Sequence, residues 1–129
     1  MQTLSWPLIL GLSSTGIFMA LISSLVGMRQ KVEVPSWWIL YAIWVAIVLG
    51  SGNEAPFRTI LIASLVAGVL HAITQSLLLD AYIRNNPWYA EQMQKPRTIL
   101  RLQFLRSGVM IGAGFGALIG GIAWGIGRI

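Results

Sequence analysis

Residues 107–127 read SGVMIGAGFGALIGGIAWGIG and contain eight of the fourteen glycines in the chain. Glycine weakens a helix in water by about 1 kcal/mol relative to alanine, so this density is unusual for a soluble helix. In a bilayer, backbone groups must satisfy one another, and a helix is nearly obligatory for an apolar stretch of this length. The stretch therefore predicts a membrane-spanning helix whose glycines allow close contact with another helix.

Six of these glycines recur at helical spacing and are predicted to be helix-packing residues. They are Gly108, Gly112, Gly116, Gly120, Gly121 and Gly125, and together they are named the glycine face. A step of four residues drifts by about 40° per repeat on an α-helix, so the glycine face winds slowly around the helix. The pattern fits packing within the chain or between chains. We favour packing within the chain because four spans need an interface to form a bundle.

Two further helical patterns bear on how the spans pack. The first apolar run repeats small residues at Ser13, Gly16, Ala20, Ser24 and Gly27. The second run carries a bulky stripe formed by Trp37, Tyr41, Trp44 and Val48. One arrangement packs the first helix into the glycine face and turns the bulky stripe to lipid, whereas another uses the glycine face between protomers.

The composition of the chain suits a lipid-facing surface. The chain has 129 residues, of which 56% are hydrophobic and 10% are charged, whereas about 25% of residues are charged in a typical soluble domain. The net charge of +5 comes from basic residues beside apolar segments, which predicts contact with anionic lipid headgroups and not with nucleic acid. The absence of cysteine excludes disulfides, thiol nucleophiles and thiolate metal sites.

Four apolar runs predict an all-α membrane protein, a four-transmembrane-helix bundle that forms a single domain over residues 1–129. The helices are predicted at about 4–27, 36–52, 54–83 and 98–127. The first run is too long for the apolar region of a signal peptide and no basic residue precedes it, so we expect it to be a span. The third link is either a short interfacial helix capped by Asn86 or an irregular loop.

The distribution of basic residues predicts the orientation. Seven of the nine lie in or beside the first and third links. These are Arg29, Lys31, Arg84, Lys95, Arg97, Arg101 and Arg106. Because basic loops stay in the cytoplasm, both termini are predicted to lie outside it, in a plasma membrane or a bacterial inner membrane.

The only histidine, His71, falls in the third predicted span with Ser64, Gly68, Thr74 and Gln75 on the same helical side. We name these five residues the polar seam. Such side chains either form hydrogen bonds between helices or mark an ion path or cofactor site. A bis-histidine haem would need a second imidazole, which this chain lacks. No metal and no cofactor are predicted.

Two pairs of opposite charge stand four residues apart near span boundaries, Glu54 with Arg58 and Asp80 with Arg84. Helical spacing predicts that they act as interfacial pairs. No two acids are spaced for acid–base catalysis, and no phosphate-binding glycine loop is present. The sequence therefore predicts no catalytic residue and no enzyme activity.

Two functional hypotheses remain. The first is a structural or accessory subunit that packs through the glycine face, against its own spans or against a partner in a membrane complex. The second is a small oligomeric channel or transporter that uses the polar seam around His71. The substitution His71→Leu is mild or silent under the first hypothesis, and abolishes flux without dissociating the oligomer under the second.

Overall fold

Helices make up most of the chain in the computed structural model, which describes residues 3–129. They are α1 (Trp6–Leu25), α2 (Gln30–Gly50), α3 (Pro56–Leu77), α4 (Leu79–Asn85) and α5 (Arg97–Ile126). All except α4 are long and apolar enough to cross a membrane, so the chain is a small integral membrane protein. The predicted fold class, a four-transmembrane-helix bundle, is confirmed.

The start of the second span differs from the prediction, because α2 begins at Gln30 and not at Ser36. Pro35 lies inside the helix, where its missing N–H leaves the carbonyl of Lys31 without an intrahelical partner. Lys31 and Pro35 are exposed, so water can donate to that carbonyl. The added first turns bring Glu33 onto the helix.

The third span is also divided, since α3 and α4 replace the single helix predicted over 54–83. The break falls at Leu78, whose dihedral angles are φ −101° and ψ 25°. The N–H of Leu78 still donates to the carbonyl of Thr74 at 3.0 Å, and the N–H of Tyr82 donates to the carbonyl of Leu78 at 2.8 Å. The two helices therefore meet at a kink and not at a loop.

The third link forms a three-residue 3-10 turn over Pro87–Tyr89 and continues in turns, so of the two predicted alternatives the irregular loop is the one observed. The prolines that bound this link leave a segment too short for a stable isolated helix. The side chain of Asn86 does not cap the turn but reaches α1. Its Nδ2 donates to the carbonyl of Ser23 at 2.8 Å, and its Oδ1 accepts the N–H of Met28 at 3.0 Å.

α3 lies at the centre of the bundle, with α1 against one side of it. The contact uses the small residues predicted on α1. A Cβ added at Gly16 would overlap the carbonyl oxygen of Ala67, and the hydroxyl of Ser13 donates to the carbonyl of Ala63 at 3.1 Å. Close backbone approach of this kind is the usual basis of helix association in lipid.

α5 packs on another side of α3, through glycines on both helices. Gly108 and Gly68 approach so closely that a Cβ on either would overlap the carbonyl oxygen of the other. A Cβ at Gly112 would lie 2.7 Å from the carbonyl oxygen of Ser64. The arrangement that packs α1 into the glycine face is therefore wrong, because α3 lies there instead.

The bulky stripe of α2 points into the bundle, so the prediction that it faces lipid is also wrong. Tyr41, Trp44 and Val48 are the buried residues of α2, and all three belong to its second half. They share a core with Ile9 of α1 and Ile119 of α5. The first half of α2 has no fully buried residue.

Candidate functional site: a cleft beside α2

A cleft of about 460 Å³ lies between the first half of α2 and the α3–α5 pair. Small-molecule sites in proteins have volumes of roughly 300–1,000 Å³. Aromatic rings form much of the wall: Trp37, Trp38, Tyr41, Tyr82, Phe104 and Phe115. The lining residues Val34, Trp38 and Ile111 are exposed and belong to candidate spans, so the cleft is reached from the side of the bundle.

His71 is held in the cleft by the backbone of α1. Its Nδ1 lies 3.1 Å from the carbonyl oxygen of Gly16. Because a carbonyl only accepts, this contact assigns a proton to Nδ1 and leaves Nε2 for the cleft. The ring of Trp37 stands edge-on to the imidazole at 5.5 Å between centroids. His71 lies less than two turns from the end of α3, and not near mid-span as the longer predicted helix implied.

Glu33 faces the other imidazole nitrogen, with 3.8 Å between its Oε1 and Nε2 of His71. The Glu33 and His71 side chains are only 22% and 14% exposed. In the sequence this carboxylate falls in the predicted first link, because the second helix is expected to begin after Pro35. The missed signal is the spacing of Glu33, which stands four residues before Trp37 and extends the bulky stripe back by one turn.

Four members of the polar seam line the cleft, namely Ser64, Gly68, His71 and Gln75. The Ser64 hydroxyl and the Tyr41 phenol lie 2.7 Å apart and share a hydrogen bond. The Nε2 of Gln75 donates to the hydroxyl of Ser23 at 3.2 Å. Thr74 is the exception, because its hydroxyl donates to a carbonyl of its own helix. The seam therefore both joins helices and contributes polar groups to the cleft.

Tyr82 of α4 adds a phenol to the end of the cleft nearest the links. Burial raises the pKa of this phenol above its ordinary value, and the negative field of Glu33 raises it further. The hydroxyl therefore keeps its proton at neutral pH and remains a hydrogen-bond donor.

One of the two predicted charged pairs is arranged differently from the helical expectation. Asp80 pairs with Arg97 at the start of α5, where the prediction paired it with Arg84. Both partners are well exposed, so this bridge adds little stability. Glu54 precedes the first residue of α3, and its pairing with Arg58 stays a prediction. These two residues line a second cavity of about 450 Å³ away from the cleft, most of whose lining residues are not buried.

The glycine face divides between two environments. Gly108, Gly112, Gly116 and Gly120 lie against α3. Gly121 and Gly125 have no atom within 4 Å of an added Cβ. They leave an open strip on α5, flanked by the exposed side chains of Leu118 and Ile122.

Over residues 3–129 no group of three His, Cys, Asp or Glu side chains is placed to hold a metal ion. The chain matches no protein-family model, and no curated protein or solved structure is significantly similar to it. Its function is therefore inferred from the geometry of the cleft and the chemistry of the residues that line it.

Proposed function

We propose that the protein binds small amphiphilic molecules in the cleft and moves them as a small membrane transporter. The observation that best supports this is the Glu33–His71 pair, set at 3.8 Å in a wall that is otherwise largely aromatic. Pockets with apolar walls and a few convergent polar groups are typical of ligand sites. Ionisable residues within membrane helices are costly, and they commonly mark substrate or proton paths.

The packing of α2 supplies a means of opening and closing the cleft. Its second half is fixed in the core by Tyr41, Trp44 and Val48, whereas its first half contributes no fully buried residue. The first half contacts α3 and α5 through side chains that stay partly exposed, such as Trp37 and Trp38, so less packing opposes movement there than in the second half. Rotation about the fixed half would widen or narrow the cleft, as in a hinge motion.

Filling the mouth of the cleft tests this function. Ile111 lines the cleft and is 57% exposed, while its neighbour Met110 is 60% exposed and does not line it. We expect Ile111→Trp to block the cleft without disturbing the fold, and Met110→Trp to serve as the matched control. Native mass spectrometry from nanodiscs would then find a small-molecule adduct on the wild type and on Met110→Trp, and lose it on Ile111→Trp. Identical adduct patterns in all three proteins would contradict the proposal.

A second candidate is the role of an accessory subunit, which the open strip at Gly121 and Gly125 supports. Another helix could approach there as closely as α5 approaches α3. The same mass spectra separate the two functions. A second protein, or a second copy, retained at fixed stoichiometry without any small-molecule adduct would favour the accessory role. His71→Leu would then leave the assembly intact and its activity unchanged, whereas under the transport function it stops flux.

A further inference from the structure

We infer that the occupant of the cleft is a lipophilic organic cation, and that it exchanges with one proton held by the Glu33–His71 pair. This inference rests on the proposed function, because it names the substrate class of the same cleft. It depends on three features of the site: the sign of its charge, its aromatic walls and the single exchangeable proton.

The formal charge available inside the cleft is negative. Among the described residues that line it, Glu33 is the one acid, His71 is the one histidine, and no lysine or arginine is present. The other titratable groups that face the pair are phenols, contributed by Tyr41 of α2, Tyr82 of α4 and Tyr89 of the 3-10 turn. From α5 the nearby lining residues are uncharged: Phe104, Ser107 and Gly108. α1 presents the carbonyl of Gly16.

The basic residues next to Glu33 in sequence do not neutralise it from within the cleft. Arg29 lies over the ring of Trp88, with its guanidinium carbon 5.0 Å from the ring centroid, and neither residue lines the cleft. Lys31 is exposed and is not among the lining residues. A positive ligand would therefore meet an uncompensated carboxylate.

The walls favour an organic cation over a metal ion. A cation near the face of an aromatic ring gains about 0.5–2 kcal/mol, and recognition of quaternary ammonium groups uses such rings. Trp37, Tyr41 and Phe115 present rings in the same cleft as the carboxylate. Calcium and magnesium ions need several oxygen ligands, which one carboxylate in an aromatic wall does not supply. Apolar substituents on the cation would pack against the remaining wall.

One proton is exchangeable at this pair. The Nδ1 proton of His71 is retained by the carbonyl of Gly16, so the mobile proton lies between the Glu33 carboxyl and Nε2. With that proton the pair is neutral overall, and without it the carboxylate carries one negative charge. Cation binding to the protonated pair therefore displaces one proton, which passes to water at the loop end of α2, where Gln30 is exposed. Cation and proton compete for the same negative charge.

Calorimetric titration of the full chain in detergent micelles tests this exchange, with tetraphenylphosphonium as the cation and triphenylphosphine oxide as a neutral aromatic comparator. Titration in buffers of different ionisation enthalpy counts the protons released. We expect about one proton per bound cation, and an affinity that weakens about tenfold for each pH unit of acidification over the range where the pair is protonated. The neutral compound should release no proton and bind with no pH dependence.

Two carboxylate variants make the test specific. Glu33→Gln should weaken tetraphenylphosphonium binding at least tenfold and end proton release, while it keeps its affinity for triphenylphosphine oxide, which shows that the cleft is still formed. Glu54→Gln removes an exposed carboxylate outside the cleft and should leave both affinities unchanged.

The outcomes distinguish a failure of the cation inference from a failure of the ligand-binding function. If both compounds bind, Ile111→Trp blocks them, and Glu33→Gln alters neither affinity nor proton release, the cation inference is wrong while the ligand-binding function stands. If Ile111→Trp leaves the binding of both compounds unchanged, the cleft is not the binding site and both proposals are wrong.

Discussion

The side chain of Asn86 joins the third link to α1, to α4 and to the first link. Its side chain is fully buried and makes three hydrogen bonds, to the carbonyls of Ser23 and Tyr82 and to the N–H of Met28. Asn86→Ala would leave these groups buried without their partner. At about 1 kcal/mol for each bond, we expect a loss of roughly 2–3 kcal/mol in the free energy of unfolding. Reversible unfolding in mixed detergent micelles, followed by circular dichroism, would measure it.

The neighbouring Asn85 provides the control. Its Nδ2 donates to the carbonyls of Ser24 and Leu25, but the site is partly open to solvent and water can replace those bonds. Asn85→Ala should therefore cost less than about 1 kcal/mol. Equal losses for Asn85→Ala and Asn86→Ala would contradict this prediction, because they would show that burial of the asparagine does not matter.

At the residue scale, the sequence indicated well which side chains would be unusual. It indicated poorly which partners those side chains would have. His71 and most of the polar seam do lie together, because spacing on one helix fixes which residues share a face. Glu33 could not be placed beside His71, since that contact joins two helices and depends on where α2 begins. Asn86 was expected to cap a helix, because a local pattern cannot reveal that α1 ends within reach of it.

At the scale of helices, the contact between α3 and α5 depends on glycines that face a neighbour and not on glycine content as such. A Cβ at Gly112 would lie 2.7 Å from the backbone of α3, whereas a Cβ at Gly121 would meet nothing within 4 Å. Gly112→Ala should therefore push the two helices apart and destabilise the fold by about 1–3 kcal/mol. Gly121→Ala should change stability by less than about 0.5 kcal/mol.

The same unfolding measurement compares the two glycine variants. Both substitutions are in α5 and add one methyl group, so differences in helix propensity largely cancel. A loss at Gly121 as large as that at Gly112 would show that the outer strip of α5 is also covered by a neighbour, which contradicts the open strip seen in the monomer.

The sequence predicted the number and class of the helices well, because length and hydropathy alone decide whether a segment can span a bilayer. It predicted the packing partners poorly. The small residues Ala63, Ala67 and Gly68 give α3 a tight surface for both α1 and α5, and this surface was overlooked beside the denser glycine face. With two surfaces of small residues and a third helix, several helix pairings are compatible with the sequence. Contacts between residues far apart in the sequence decide which pairing forms.

At the scale of the whole molecule, the first and third links lie at the same end and touch. Gly27 adopts φ +88°, and a Cβ there would overlap the carbonyl oxygen of Asn85. The basic residues of these two links therefore form one positively charged end. At the other end are Arg58 and Arg128, and Arg128 lies over the ring of Trp124 at 4.2 Å.

This asymmetry gives a topology prediction for the membrane. Positively charged links stay in the cytoplasm, so both ends of the chain should lie outside it, with the mouth of the cleft near the inner leaflet. A reporter active only outside the cytoplasm, fused after residue 129, should be active, and the same reporter inserted after Gln94 in the third link should be silent. Reversed activities would overturn this orientation. They would also place Glu33 near the outer surface, so that the proton released on cation binding would leave on the opposite side of the membrane.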